Sequence, residues 1–378
     1  MNKEEIYREL FGEHNKTDMT PRRYNESLYS FYCRTGRAGF EKAREFICSE
    51  IEYYSDDDKN EYISRITKDH DLTSSSFELI IKRFIEKHNY RVIHHASVNN
   101  INSKPDFYIV DKNAYLECIC IKEKEAIGTN KIEQHRFEEE LTRLLQKGDY
   151  YIHIEFDKFY IPKNLSIKQH IRSIKEWIES CIKIKARDNI YYIPNTSIQL
   201  IFYYKKGYNG PLIPTVGSGI VCMGNINERT RDKLSKKANK VKGIDTPYII
   251  AFNSLMGYTK QGDILEMLYG DIAINYRISS NGRSLETKNV RLSNGLWHYN
   301  YAPNYSRISG IIVFKRLYPD SFLSSDPTLY INPFASKPIN SDVFNCKVCY
   351  INEKKSLETK EGKPLHEILD MPPNWPND

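Results

Sequence analysis

The sequence contains no apolar run approaching the roughly 18 residues that a membrane-spanning helix requires. Gly219 to Met223 and Ser309 to Phe314 are short interior strands at most. The chain opens Met-Asn-Lys-Glu-Glu, without the apolar core of a secretory signal. Together these absences speak against a helical membrane protein and lead to the expectation of a cytoplasmic one. A disulfide scaffold is missing as well: the 8 cysteines are scattered through apolar stretches, which reads as reduced thiols. The one CxxC, Cys346 to Cys349, has only His366 nearby, and a structural zinc site needs two more ligands. Neither a GxSxG nucleophile elbow nor an HExxH helix occurs. The glycine-rich Gly217-Ser-Gly219 to Gly224 fails the GxGxxG spacing of a dinucleotide site.

What is present is enough for a large folded protein. At about 150 residues per domain, 378 residues suggest two or three units, or one core with large insertions, and 40% apolar content supplies a core. The 55 basic residues exceed the 49 acidic ones, a net charge of +6 that permits a polyanionic partner without demanding one. Tyrosine dominates the aromatics, 28 against 3 tryptophans; it stacks on bases, but the bias decides nothing alone.

Hydrophobic periodicity divides the chain into a helical region over residues 1–70, a mixed α/β core over 71–190, a second α/β region over 191–352, and a charged, proline-rich tail over 353–378. In the core, a helix with Phe77, Ile80, Ile81, Phe84 and Ile85 on one face precedes a short strand, Tyr90 to His94. Two further strands, Pro105 to Val110 and Ala114 to Ile121, are joined by the turn Asp111-Lys-Asn113. A helix over about Lys131 to Gln146 and a strand at Tyr150 to Phe156 complete the expected core. The second region carries a strongly basic helix, Asn227 to Lys242, with Arg229, Lys233, Lys236, Lys237 and Lys240. Such a helix is either a solvated face or a track for a phosphate backbone.

The chemistry-bearing constellation is Pro105-Asp106 at the start of one strand and Glu117 in the middle of the next. An antiparallel hairpin sets such positions side by side. Glu117 is flanked by Leu116 and Cys118, and a carboxylate in so apolar a strand calls for a partner. That partner is either a divalent cation, which takes one or two protein carboxylates, or a lysine or arginine across the sheet. Asp106 has a plainer reading too, as a turn residue after proline. His94-His95 follow a strand, where neighbours face opposite ways, so they make a poor metal pair.

Pro105-Asp106 followed by Glu117, with Glu78 on the preceding helix, resembles the PD-(D/E)XK, or restriction-endonuclease-like, nuclease core over roughly Ser74 to Phe156. The resemblance implies a mixed sheet flanked by helices, and Mg²⁺ or Mn²⁺ held by Asp106, Glu117 and Glu78. It further implies metal-dependent hydrolysis of DNA, with RNA as the other substrate, in bacterial restriction or anti-phage defence, and it allows a homodimer. One departure stands out: the family's lysine belongs two residues after the glutamate, where this chain has Ile119. Lys122 is the nearest replacement but has the opposite strand parity to Glu117. Lys104, Lys131, Gln134, His135 and Arg136 are others. The competing reading is a catalytically silent nuclease-like fold that binds nucleic acid or a partner protein. If the core is right, the three carboxylates converge and Cys118 and Cys120 turn to the opposite face.

Overall fold

The computed structural model describes residues 1–20, 22, 26–68, 71–98, 104–121, 128–156, 167–196, 198–208, 212–213, 216–218, 230, 233–237, 244–255, 261–278, 284–299, 302–354 and 356–376. Helices α1 (Lys3–Phe11), α2 (Leu28–Arg34), α3 (Ala38–Glu52), α4 (Asp56–Thr67) and α5 (Leu72–Glu86) come first. Strands β1 (Val92–His94), β2 (Phe107–Ile109) and β3 (Ala114–Ile121) follow. Next are α6 (Gly128–Leu144), β4 (Tyr150–Phe156), α7 (Ile171–Lys183), β5 (Arg187–Tyr192), β6 (Ile198–Tyr204) and β7 (Val216–Ser218). After β8 (Tyr248–Ser254) and α8 (Gln261–Tyr269) come β9 (Ile272–Ile278), β10 (Ser284–Arg291), β11 (His298–Tyr299) and β12 (Ala302–Pro303). The chain closes with β13 (Gly310–Lys315), β14 (Thr328–Ile331), β15 (Lys347–Ile351), β16 (Leu357–Lys360) and α9 (Leu365–Leu369). The protein is mixed α/β.

Two compact units emerge, and their border is not the one expected at residue 190. One unit comprises Met1–Arg22, Glu26–Glu123 and Asn225–Asp378; the other is Arg23–Asn25 with Lys124–Gly224. The reason lies in strand pairing. β3 runs parallel to β8, with Glu117 opposite Ile250, and β8 runs parallel to β13. The first unit therefore holds one 8-stranded sheet in the order β1-β2-β3-β8-β13-β14-β15-β16, drawing strands from both sides of residue 190. Helix α6 and strand β4, expected to finish the core, belong to the inserted unit instead.

Each face of the large sheet has its own apolar layer. On one, Phe77, Ile80, Ile81 and Phe84 of α5 pack on Phe107, Leu116, Ile249, Ile312 and Phe314, with Cys118 and Cys120 against them. On the other, Ile119, Ile121, Tyr248, Ile250 and Phe252 meet Leu234 and the α8 residues Ile264, Met267 and Leu268. The strict alternation along β3 assigns its even-numbered residues to the first layer and its odd-numbered ones to the second. Helices α1, α3 and α4 bury Ile6, Leu10, Ile47, Ile51, Tyr62 and Ile66 in a separate cluster that takes in Leu72 and Leu79 of α5. Ser55 caps α4 by accepting a hydrogen bond from the Asp58 amide at 3.3 Å.

The tail differs from the sequence expectation. Leu365, Ile368 and Leu369 of α9 are core residues of the first layer, and Trp375 packs on Phe46 and Phe322 at 5.8 and 4.6 Å between ring centroids. Proline and charge in this stretch mark turns and an outer face, and its three spaced aliphatics were the signal for burial. The CxxC is no metal site. Cys346 lies in the first layer and Cys349 in the second, so the sheet separates them. Burial pushes the Cys346 thiol up to about 12. None of the seven cysteines among the described residues is in a disulfide.

The inserted unit is built on a 4-stranded sheet in the order β5-β6-β4-β7. Ile152, Ile154, Leu200 and Phe202 on one face of it pack with Ile174, Ile178 and Cys181 of α7 and Phe137 and Leu141 of α6. Tyr151 and Tyr203 stack on the other face, 5.0 Å between centroids.

Phe314 lies far beyond residue 190, yet its ring meets Phe77 and Phe84 edge-on at 5.6 and 6.0 Å. Phe314→Ala is expected to lower the stability of the first unit by about 3–5 kcal/mol. Urea unfolding of Phe77→Ala, Phe314→Ala and the double variant checks this, and the double variant should fall short of the sum because the rings touch. Strict additivity would mean that the two regions fold as separate cores.

Candidate functional site

The β2–β3 hairpin does what the sequence implied. Phe107 pairs with Leu116 and Ile109 with Ala114. Extending that register one step sets Asp106 beside Glu117. The Asp106 Oδ2 accepts the Cys118 amide at 2.6 Å, a charge-assisted bond from a neighbouring strand. Glu117 is only 6% exposed, in a strand whose neighbours are apolar. Cys118 and Cys120 point to the other layer, as strand parity requires.

The buried carboxylate has found a cation. Lys237 Nζ makes a very short contact with Glu117 Oε1, and the Tyr248 hydroxyl approaches Oε2 at 3.4 Å. Residues 233–237 are helical, and Leu234 of that stretch is fully buried against the Glu117 face of the sheet. Leu234 and Lys237 are three residues apart on this helical stretch, so they share a face. Burial alone would lower the Lys237 ammonium, but the Glu117 charge and hydrogen bond, then Asp106, raise it above its ordinary value. Lys237 is therefore charged at neutral pH. Expected as one of several phosphate contacts, it sits inside the site.

Asp106 is the strained member. Burial pushes its carboxyl well above the usual carboxylate range, and the neighbouring charges of Glu117 and then Glu78 add to that. The Cys118 amide and Lys237 pull the other way without cancelling the rise. Among the described residues no ion pair to Asp106 offsets that burial.

Glu78 is 6% exposed on α5 and is held by Arg65 of α4 through two hydrogen bonds, Nη1 to Oε2 at 2.8 Å and Nη2 to Oε1 at 2.5 Å. The Tyr62 hydroxyl approaches Oε2 at 3.4 Å. Bidentate pairing of this kind occupies both oxygens. Glu78 thus adds negative potential at Asp106 while its own oxygens are engaged. Among the described residues, the clusters of three or more ligating groups within 4.8 Å of one another are Asp58-His94-His95 and His14-Glu41-Glu45, and the three carboxylates are not one of them.

The remaining expected residues divide plainly. Lys233 and Lys236 are exposed, as is Lys104. Arg229, Lys240 and Lys122 lie outside the described residues. Lys131, Gln134, His135 and Arg136 fall on α6, in the inserted unit. The histidines depart from the expected alternation. His95 follows β1 with a left-handed φ of +47°, and its ring stacks on that of His94 with centroids 3.7 Å apart. Helix α4, within the helical region expected over residues 1–70, supplies both Arg65 and Asp58 to this neighbourhood.

No family model, no curated protein and no solved structure matches this chain.

The raised Asp106 carboxyl has a definite pH signature. A carboxyl whose folded pKa lies above its unfolded value favours the folded state at low pH, and that advantage is lost as pH rises from the ordinary carboxylate range through the folded value. Asp106→Asn removes the charge and keeps an oxygen for the Cys118 amide. At pH 7 it should raise the unfolding midpoint by a few degrees, at about 1–2 °C per kcal/mol in a chain of this size. The gain should vanish near pH 3. Thermal melts across pH 3–8 measure it; a variant less stable than wild type at pH 7 would contradict the assignment.

Proposed function

We propose that this protein is a metal-dependent phosphodiesterase acting on DNA, in which Lys237 fills the place left vacant at Ile119. The observation that carries this reading is the Lys237 ammonium on Glu117, beside an Asp106 carboxyl short of positive charge. The element order supports it. Helix α5, the three antiparallel strands β1, β2 and β3, a helical stretch at 233–237 and the parallel strand β8 follow the plan implied by the nuclease resemblance, with 124–224 inserted before the second helix.

The donor set fits a hard divalent cation such as Mg²⁺. Asp106 and Glu117 are adjacent carboxylates, and Mg²⁺ takes one or two of these while keeping waters and substrate phosphate. When bound, such an ion lowers the pKa of a water and stabilises the leaving oxygen of a phosphodiester. Asp106 and Glu117 would hold it. Lys237 would donate hydrogen bonds to a phosphate oxygen and offset developing charge. Arg65 holds Glu78 in place, which maintains the negative potential at Asp106 that favours a cation. Lys233 and Lys236, on the same helical stretch, face solvent and suit contact with neighbouring phosphates.

Lys237→Gln and Glu117→Gln should each reduce Mg²⁺-dependent or Mn²⁺-dependent cleavage of DNA by about 100-fold or more while folding is retained. Lys236→Gln should leave the turnover rate within a few-fold and only flatten the salt dependence of binding. Full-rate cleavage by folded Lys237→Gln would reduce the pair to a structural ion bridge. Wild-type protein that cuts neither DNA nor RNA with either metal would leave a catalytically silent, nucleic-acid-binding fold.

A further inference from the structure

Beside the carboxylate pair lies a second cluster of different chemistry. His94 Nδ1 stands 2.9 Å from Asp58 Oδ1, and His95 Nδ1 stands 3.7 Å from Glu61 Oε2. One ligand atom each from Asp58, His94 and His95 lies within 4.8 Å of the other two. Asp58 and Glu61 are three residues apart on α4, which puts them on one face of the helix toward the end of β1. The left-handed turn at His95 folds its ring back onto that of His94 and so turns both imidazoles toward this helix.

The surroundings of His94 are those of a metal-binding imidazole. Its side chain is 7% exposed, stacked on Tyr62 at 5.4 Å and met edge-on by Tyr54 at 5.0 Å, so the ring is fixed. Its other nitrogen, Nε2, faces the Tyr62 hydroxyl at 3.3 Å. A ligating histidine nearly always uses its second nitrogen this way, which orients the ring and selects the tautomer. When Tyr62 gives its proton to Glu78, its oxygen accepts from His94 Nε2–H. Nδ1 then presents a lone pair to the Asp58 carboxylate, and a cation between them satisfies both. Ligands on a tetrahedral zinc stand about 3.3 Å apart, given bonds near 2.0–2.1 Å. The 2.9 Å pair needs only to open slightly.

We propose that Asp58, His94 and His95, with Glu61 beside them, form a binding site for one divalent transition-metal ion of the zinc type. Two imidazoles and carboxylate oxygen suit Zn²⁺, Co²⁺ or Ni²⁺, whereas Mg²⁺ prefers an all-oxygen shell. The site is distinct from Asp106 and Glu117 and does not depend on the phosphodiesterase reading. It reaches that neighbourhood all the same: the His95 amide donates to the Asp106 carbonyl at 3.0 Å, and Tyr62 links His94 to Glu78. An ion here would fix the end of β1 against α4.

Zn²⁺ binding by the full chain, stripped of metal and free of Mg²⁺ and nucleic acid, tests the proposal. A chromophoric chelator in competition reads the affinity, and Co²⁺ substitution reads the geometry through its visible absorption. Wild type should bind one tight equivalent. His95→Asn tolerates the left-handed backbone but removes the imidazole, and Asp58→Asn keeps the side-chain volume. Each should weaken binding by at least about tenfold, with folding checked by circular dichroism. Glu117→Gln should bind as wild type does, so loss of cleavage and loss of zinc separate. No Zn²⁺ binding by wild type would overturn the proposal. So would tight binding undiminished in both folded variants.

Discussion

Parallel neighbours such as β3 and β8 cannot be closed by a hairpin; they require a crossover connection. In this chain that crossover runs from Glu123 to Pro247 and carries a whole compact unit as well as the helical stretch at 233–237. The return of the chain over one face of the sheet buries Leu234 there and brings Lys237 to Glu117. Everything notable about the site follows from that geometry. A carboxylate in the middle of an apolar strand is costly when unpaired, and its partner arrives from 120 residues away.

The three carboxylates are handled differently. Glu78 is held by a bidentate arginine from α4. Glu117 is paired with Lys237, whose side chain is about one-third exposed. Asp106 has an amide and, among the described residues, no ion pair of its own, and the charges of both neighbours raise its carboxyl further. Removing one partner of a buried pair typically costs several kcal/mol because a bare charge is left behind. Among the described residues, the positive charge paired with each carboxylate thus falls from Glu78 through Glu117 to Asp106.

The N-terminal helices gain meaning from the same arrangement. α4 is held to α5 through Tyr62 and Arg65, and its acidic first turn lies beside His94 and His95. A network runs from Asp58 through His94, Tyr62 and Glu78 toward Asp106, with each hydrogen bond at 2.9–3.4 Å. Networks of this kind polarise one another and hold their members in register. The helical region thereby positions the site as well as packing on α5.

Much of this was legible from residues alone. The strand pair at Pro105 to Ile121, the alternation that separates Glu117 from Cys118, and the apolar face of α5 all depend on local periodicity and a short turn, which act within about ten residues. What escaped depends on contacts between distant segments. Lys237 looked like one more cation on a basic helix, because nothing local says which face of that helix meets a sheet; only the burial of Leu234 does. The His94-His95 cluster was hidden by a single left-handed residue that breaks strand parity. The border at 190 failed because the sheet order is non-local, and β8 to β16 read no differently from a second domain. Local sequence thus determined the elements and which faces of them are apolar. The tertiary structure alone decided which strand lies beside β3, and so which cation reaches Glu117, because pairing in a mixed sheet is chosen by the burial of both its faces at once.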